Sequence, residues 1–185
     1  MTVVDVGAHM GWSTLLMAKR VGTNGTVIAS EPFDYYREML NKNVAINDYK
    51  NVIISEAAFF DRDGQMRFEL STGQVVIDKG DASITTITCE RLDSYTTRLS
   101  FPKIDFIKMD IEGGEMNCLI GMEEVIARDK PKLMIEVHSK LLPRFNHTAG
   151  DVIRFLEERS YTIQPFGISR ARMRDAEDSF HMFAA

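Results

Sequence analysis

Cysteine is scarce: Cys89 and Cys118 stand far apart in different kinds of segment, so neither a disulfide framework nor a cysteine metal cluster can be argued, and a reducing compartment fits best. Long apolar runs are missing as well. None approaches the ~20 residues of a membrane-spanning helix, and Met1 leads straight into a strand-like run instead of a signal peptide. The chain is therefore expected to be cytoplasmic. Positive charge is neither abundant nor clustered: the formal net charge is -5, and the densest basic stretch, Arg170, Arg172 and Arg174, is followed at once by Asp175, Glu177 and Asp178. A phosphate-tracking surface is not built this way, so neither nucleic acid nor membrane is an expected partner. Repeats, low-complexity tracts and interdomain linkers are absent too. At 185 residues, 44% hydrophobic and 26% charged, the chain reads as one soluble α/β domain spanning 1–185.

What is present is an alternation of two periodicities. Thr2 to Val6 is β-branched and strand-like, and Trp12 to Arg20 repeats its apolar residues at helical spacing. Thr26 to Ala29 and Asn51 to Ser55 read as further strands, with Tyr35 to Ile46 a helix between them. Such alternation implies parallel strands joined by crossover helices on both sheet faces. The first strand begins at Thr2, which leaves no room for the helix that often precedes it, so a natural N-terminal extension is expected to be lacking. The rhythm breaks from Ala58 to Leu70, which reads as a hairpin around Asp61 to Gly64, and Ser71 to Ser83 reads as a loop placed where a lid could sit. Ile84 to Thr88 is extended. Regularity resumes with strands at Ile104 to Met109 and Lys132 to Val137 and helices at Glu115 to Ala127 and Ala149 to Arg159. Tyr161 to Ile163 and Phe180 to Phe183 supply two more strands, making seven in the sheet.

Gly7 and Gly11 stand at the first strand-to-helix junction, where a backbone without Cβ can approach a ligand and a helix N-terminus offers free N–H groups. The spacing is G-x-x-x-G and not the G-x-G-x-x-G of dinucleotide sites, which favours a smaller ligand poorer in phosphate. Glu31 follows the second strand about twenty residues beyond Gly11, the place from which a carboxylate accepts hydrogen bonds from ribose hydroxyls. Pro32 and Phe33 supply an apolar wall for an adenine face.

The segment Val3 to Gly11 resembles motif I of class I S-adenosylmethionine-dependent methyltransferases. Three more stretches resemble the FkbM-like methyltransferases in particular: Asn43 to Asn47 running into Ser55 to Ala58, Lys108 to Glu115, and Ile135 to His138. Leu92-Asp93 agrees as well. The resemblance implies a Rossmann-like, doubly wound, seven-stranded and mostly parallel sheet whose last strand is antiparallel. It implies S-adenosylmethionine as methyl donor and a hydroxyl of a small molecule, sugar or natural product as acceptor. Carried over by position, Asp5, Gly7, Gly11 and Glu31 line the cofactor site and Ala57 lies near the adenine.

In such a sheet the carboxyl ends of the fourth and fifth strands lie beside the first, so Asp110, Glu112, Glu136 and His138 should converge on the ligand cleft. The sulfonium of the donor is already reactive, which leaves the protein to align the acceptor and to assist proton loss. His138, with an ordinary pKa near ~6.5, is the expected base, with Asp110 or Glu136 orienting it and Glu112 contacting substrate. Asp110 is assigned to the cofactor as well. His9, within the glycine turn, is expected to touch the cofactor carboxylate. These acids and His138 would suit a divalent ion, but no tight spacing motif supports one and no metal is assigned. His147 and His181 are read as structural, and Trp12 as a packing residue. A nicotinamide-dependent oxidoreductase is disfavoured by the missing third glycine and by the lack of a Tyr-x-x-x-Lys pair. A non-catalytic nucleoside-cofactor-binding module is disfavoured by the acids and histidine of the cleft.

Overall fold

A computed structural model describes residues 1–69, 74–75 and 84–185. Its larger sheet contains β1 (Thr2–Val6), β2 (Thr26–Ser30) and β3 (Val52–Ser55) on one side. On the other side stand β8 (Phe106–Met109), β9 (Lys132–Val137), β10 (Ile163–Phe166) and β11 (Phe180–Ala184). The order is β10-β11-β9-β8-β1-β2-β3, parallel except for β11, which runs antiparallel to both its neighbours. This is the expected seven-stranded architecture.

The β-branched run of β1 is central because it is apolar on both faces. Val3 packs with Val27 and with Ala18 of α1 (Trp12–Val21), while Val4, Val6 and Ile28 turn to the opposite layer. α2 (Asp34–Ile46) joins α1 on the first face through Leu40 and Val44. The second face is covered by α3 (Leu92–Arg98), α4 (Glu115–Ile120), α5 (Glu123–Asp129) and α6 (Ala149–Glu158), through Leu92, Leu119, Val125 and Val152 among others. α6 is entered through a reciprocal cap in which Thr148 accepts from the Asp151 N–H and Asp151 accepts from the Thr148 N–H. Thr148→Ala should therefore lower stability by about 1 kcal/mol, read as a shift of the urea midpoint at unchanged m-value.

Three expectations are corrected. The segment Ala58 to Leu70 is no hairpin: β4 (Ala58–Phe59) and β5 (Gly64–Glu69) do not pair with each other but flank β7 (Ile84–Glu90), parallel and antiparallel respectively. β7 offers β5 a ladder from Glu69↔Ile84 to Gly64↔Cys89, and Asp63 ties the end of the turn to the Arg91 N–H and the Ser94 hydroxyl. β6 (Gln74–Val75) adds the edge of this second sheet. Apart from those two residues, the proposed lid at Ser71 to Ser83 lies outside the described residues. The single helix expected over Glu115 to Ala127 is broken at Gly121–Met122, because Gly121 lies so close to the Phe60 carbonyl that a Cβ there would sit 1.8 Å from its oxygen. Asp93 completes the break by accepting from the Glu124 and Val125 N–H groups at the start of α5, which accounts for Leu92-Asp93 in the resembling pattern. Finally, Trp12 does not pack: it is 80% exposed on α1.

Candidate active site

The chain leaves β1 toward β2 on one side and β8 toward β9 on the other, so a crevice opens between the carboxyl ends of β1 and β8. Gly7 (φ +79°) and Gly11 (φ +97°) shape its floor. At Gly7 a Cβ would lie 2.0 Å from the Asp110 carbonyl oxygen, and at Gly11 one would lie 2.6 Å from Leu40 Cδ1. The turn is anchored by the Ser30 carbonyl, which accepts from the N–H groups of Gly7 (3.2 Å) and Ala8 (3.0 Å).

Asp5 is fully buried and does not reach the crevice. Its Oδ2 accepts from the hydroxyls of Ser13 (2.7 Å) and Thr14 (2.6 Å), which clamps the first turn of α1 onto β1. Lys108, from β8, places its ammonium 3.4 Å from Asp5 Oδ1 and 3.6 Å from Asp110 Oδ2, and donates to the Gly7 carbonyl at 3.0 Å. Sequence reasoning did not single out Lys108, although it opens the Lys108 to Glu115 segment. Its charge ties the two strand ends to the glycine turn.

Glu31 is 4% exposed and accepts from the N–H groups of His9 (2.8 Å) and Phe33 (2.9 Å), one to each oxygen. Each oxygen keeps a further lone pair for a ligand hydroxyl. Burial pushes its pKa up from the ordinary carboxylate value, against the two backbone hydrogen bonds and the Arg37 charge, which pull it down. His9 takes a left-handed backbone (φ +51°) and packs its ring on Tyr36 at a centroid distance of 3.9 Å.

These residues line a cavity of about 440 Å3, within the size range of small-molecule sites. Gly7, His9, Glu31, Pro32, Phe33 and Tyr36 form one wall, and Asp110 and Glu112 stand at another. Ala58, Phe60, Met66 and Ile87 close the apolar side. Ala57 is not among the residues that line the cavity. Its carbonyl and N–H are taken by the hydroxyls of Ser30 and Ser55, and Ala58 faces the cavity instead. Gly11 likewise shapes the turn without lining the space. Tyr36 and Phe60 were missed because neither belongs to a motif: Tyr36 is one helical turn past Pro32-Phe33, and Phe60 arrives by the unforeseen pairing of β4 with β7.

At the acidic end, His138 follows β9 and is buried. Its Nδ1 lies 2.8 Å from Glu115 Oε1, while Nε2 faces Glu112 (3.6 Å), Glu136 (3.7 Å) and Asp110 (3.8 Å). All four expected residues thus converge, but the partner that orients the ring is Glu115 and neither Asp110 nor Glu136. Glu115 is fully buried and its Oε1 also accepts from the Gly113 N–H at 2.9 Å. Glu136 is turned toward His181, its cross-strand neighbour on β11, at 3.2 Å.

The surroundings of His138 work against its expected role as a neutral base. Burial opposes its charge, but the hydrogen bond to Glu115 and the charges of Glu115, Glu112 and Glu136 outweigh it and push the pKa up to about 9. At neutral pH the ring is therefore protonated and cannot take a second proton. The acids that line the cavity, Asp110 and Glu112, are the groups left to accept one.

Comparison with known proteins bears on this site. The family model of the methyltransferase FkbM domain matches residues 5–163. A crystal structure of a methyltransferase FkbM from Methylobacillus flagellatus superposes with a TM-score of 0.65 at 21% identity, over 98% of this chain and 43% of that one. Fibrillarin from Aeropyrum pernix, solved with natively bound S-adenosyl-L-methionine, superposes with a TM-score of 0.58 at 13% identity, over 100% of this chain and 66% of that one. At these identities the two superpositions establish the fold alone. In sequence, the AMB antimetabolite synthetase AmbE of Pseudomonas aeruginosa is 23% identical over 188 residues, which is 80% of this chain and 9% of that protein. The chain thus spans less than half the length of the first solved relative and a small fraction of the synthetase.

Proposed function

Since the chain belongs to the family of methyltransferase FkbM domains, we propose that it binds S-adenosylmethionine between β1 and β8 and transfers the methyl group to a hydroxyl of a small molecule, a sugar or a natural product. The observation that carries the reading is the cavity itself. Glycine turn, buried Glu31 and apolar Pro32-Phe33 share one wall, and carboxylates that can receive a proton stand at another. The adenine would lie against Pro32, Phe33 and Ala58, the ribose hydroxyls would donate to Glu31, and the sulfonium would point toward Asp110. When bound, the cofactor supplies an activated methyl group. The residues of this chain then hold the acceptor oxygen in line with it and receive the hydroxyl proton on Asp110 or Glu112.

The test is calorimetry with S-adenosylmethionine and S-adenosylhomocysteine, followed by labelled S-adenosylmethionine incubated with a panel of hydroxylated metabolites. Binding of both nucleosides and label in a hydroxylated product are expected. Binding of NAD in their place would overturn the reading. No helix among the described residues is long and apolar enough to cross a membrane.

Glu31→Ala should weaken S-adenosylhomocysteine binding by about 1.5–3 kcal/mol, the scale of hydrogen bonds to a charged group. An unchanged dissociation constant in a folded variant would remove Glu31 from the ribose. The same carboxylate sets a pH dependence. Its folded-state pKa is raised, so its contribution to stability is fully present below the unfolded value and is lost as pH rises through the folded one. Cofactor affinity should run the opposite way, because the ionised form accepts from ribose. Acidification should weaken binding, beginning above the ordinary glutamate range, and Glu31→Gln should flatten that slope.

A further inference from the structure

The arrangement around His138 is built as a ligand set is built. A buried imidazole whose Nδ1 faces the buried Glu115 carboxylate at 2.8 Å turns its Nε2 outward, where a bound cation would take the place of the Nε2 proton. Metal-binding histidines are held by a carboxylate in this manner, which fixes the tautomer and raises the basicity of the free nitrogen. His138 is less than one-tenth exposed, and its Nε2 has no hydrogen-bond partner among the described residues. It faces three carboxylates at 3.6 Å (Glu112), 3.7 Å (Glu136) and 3.8 Å (Asp110), too far for hydrogen bonds. One donor atom from each of Asp110, Glu112 and His138 lies within 4.8 Å of the others.

From this geometry we infer that Asp110, Glu112 and His138 form a site for a divalent first-row cation at the mouth of the cofactor cavity. Bonds of about 2.0–2.2 Å to such an ion set neighbouring donors about 3.0–3.4 Å apart, so the two carboxylates must close on Nε2 from 3.6 and 3.8 Å and on each other from a separation within 4.8 Å. Both have the freedom: the side chains of Asp110 and Glu112 are 38% and 59% exposed. Two carboxylates and one imidazole suit Mn2+, Co2+ or Zn2+ better than the all-oxygen shells preferred by Mg2+ and Ca2+. Glu136 stays outside the set, being held toward His181. Three protein donors leave coordination positions for water or an acceptor oxygen. That use of the ion rests on the methyl-transfer reading above, whereas the site itself does not.

Mn2+ alone is the probe, titrated into the full chain in a non-coordinating buffer while the electron paramagnetic resonance signal of the free ion is recorded. S-adenosylhomocysteine binding is measured in the same samples. One saturable equivalent is expected. Glu112→Gln, at an exposed side chain that folding does not need, should weaken it at least tenfold, and His138→Gln more. Glu115→Gln should weaken it about 10–100-fold by loosening the ring. Glu136→Gln should change it far less. The inference is overturned if wild-type protein that binds the nucleoside shows no saturable Mn2+ binding. It is overturned equally if Glu136→Gln weakens binding as much as Glu112→Gln, since that would mean diffuse attraction to an acidic mouth. Mn2+ binding without nucleoside binding would sink the cofactor reading and leave this one standing.

Discussion

Gly7→Ala is expected to abolish measurable S-adenosylhomocysteine binding and to lower the thermal midpoint, while Gly22→Ala, also at positive φ, should leave binding intact. The two glycines separate two costs. Both have positive φ, +79° and +70°, where a residue with a Cβ loses about 1–3 kcal/mol. At Gly22 a Cβ would meet nothing within 4 Å, so the variant carries that conformational cost alone. At Gly7 the Cβ would lie 2.0 Å from the Asp110 carbonyl oxygen and 3.0 Å from Ile111 Cγ2. Neither partner can retreat easily. The Asp110 N–H is bonded to the Val6 carbonyl at 3.1 Å, and Ile111 belongs to the turn that carries Glu112. Relief must come from moving either the glycine turn or the end of β8, and both build the cavity. The total should reach about 3–5 kcal/mol, the range of severe single-site effects. A Gly7→Ala protein that binds the nucleoside like wild type would show that the ligand is held elsewhere.

How much of this was readable in the sequence depended on how local the cause was. The parallel layers, the glycine turn, Glu31 and the convergence of Asp110, Glu112, Glu136 and His138 follow from short motifs and from the one rule that places ligands at a topological switch point. All were legible. Trp12 was misjudged because a lone aromatic at helical spacing carries no label saying which side of α1 faces water. The pairing of β4 and β5 with β7 was illegible, since a strand that begins only at Ile84 outcompetes a neighbour across a four-residue turn. The break between α4 and α5 likewise depends on a distant carbonyl at Phe60 and a distant cap at Asp93. The protonation of His138 could not be read either: it is set by Glu115, from α4, which meets the ring only after folding.

Asp110→Asn should lower kcat about 10²–10⁴-fold on whichever hydroxylated acceptor turns over, with a smaller change in S-adenosylhomocysteine affinity than Glu31→Ala produces. At about 1.4 kcal/mol per factor of ten, this is a loss of roughly 3–5 kcal/mol in the transition state. The substitution keeps the shape of the side chain and removes only its charge and its capacity to take a proton. Position favours Asp110 over its neighbours. It ends β8 directly beside the glycine turn, its side chain is 38% exposed at the cavity, and Lys108 stands 3.6 Å from its Oδ2. Glu112 also lines the cavity but is more exposed, on a left-handed residue of the following turn, so Glu112→Gln should cost less. His138 is already protonated and Glu136 is turned to His181, which leaves neither free to act first. A carboxylate is a weak base, yet it need not ionise the hydroxyl in advance. The sulfonium leaving group makes the methyl carbon electrophilic, so the proton can move late, as the new carbon–oxygen bond raises the acidity of the hydroxyl. An Asp110→Asn enzyme with undiminished kcat would assign the proton to Glu112 or to water. A matched loss of kcat and nucleoside affinity would instead place Asp110 on the cofactor, and the ratio of the two losses decides between these roles.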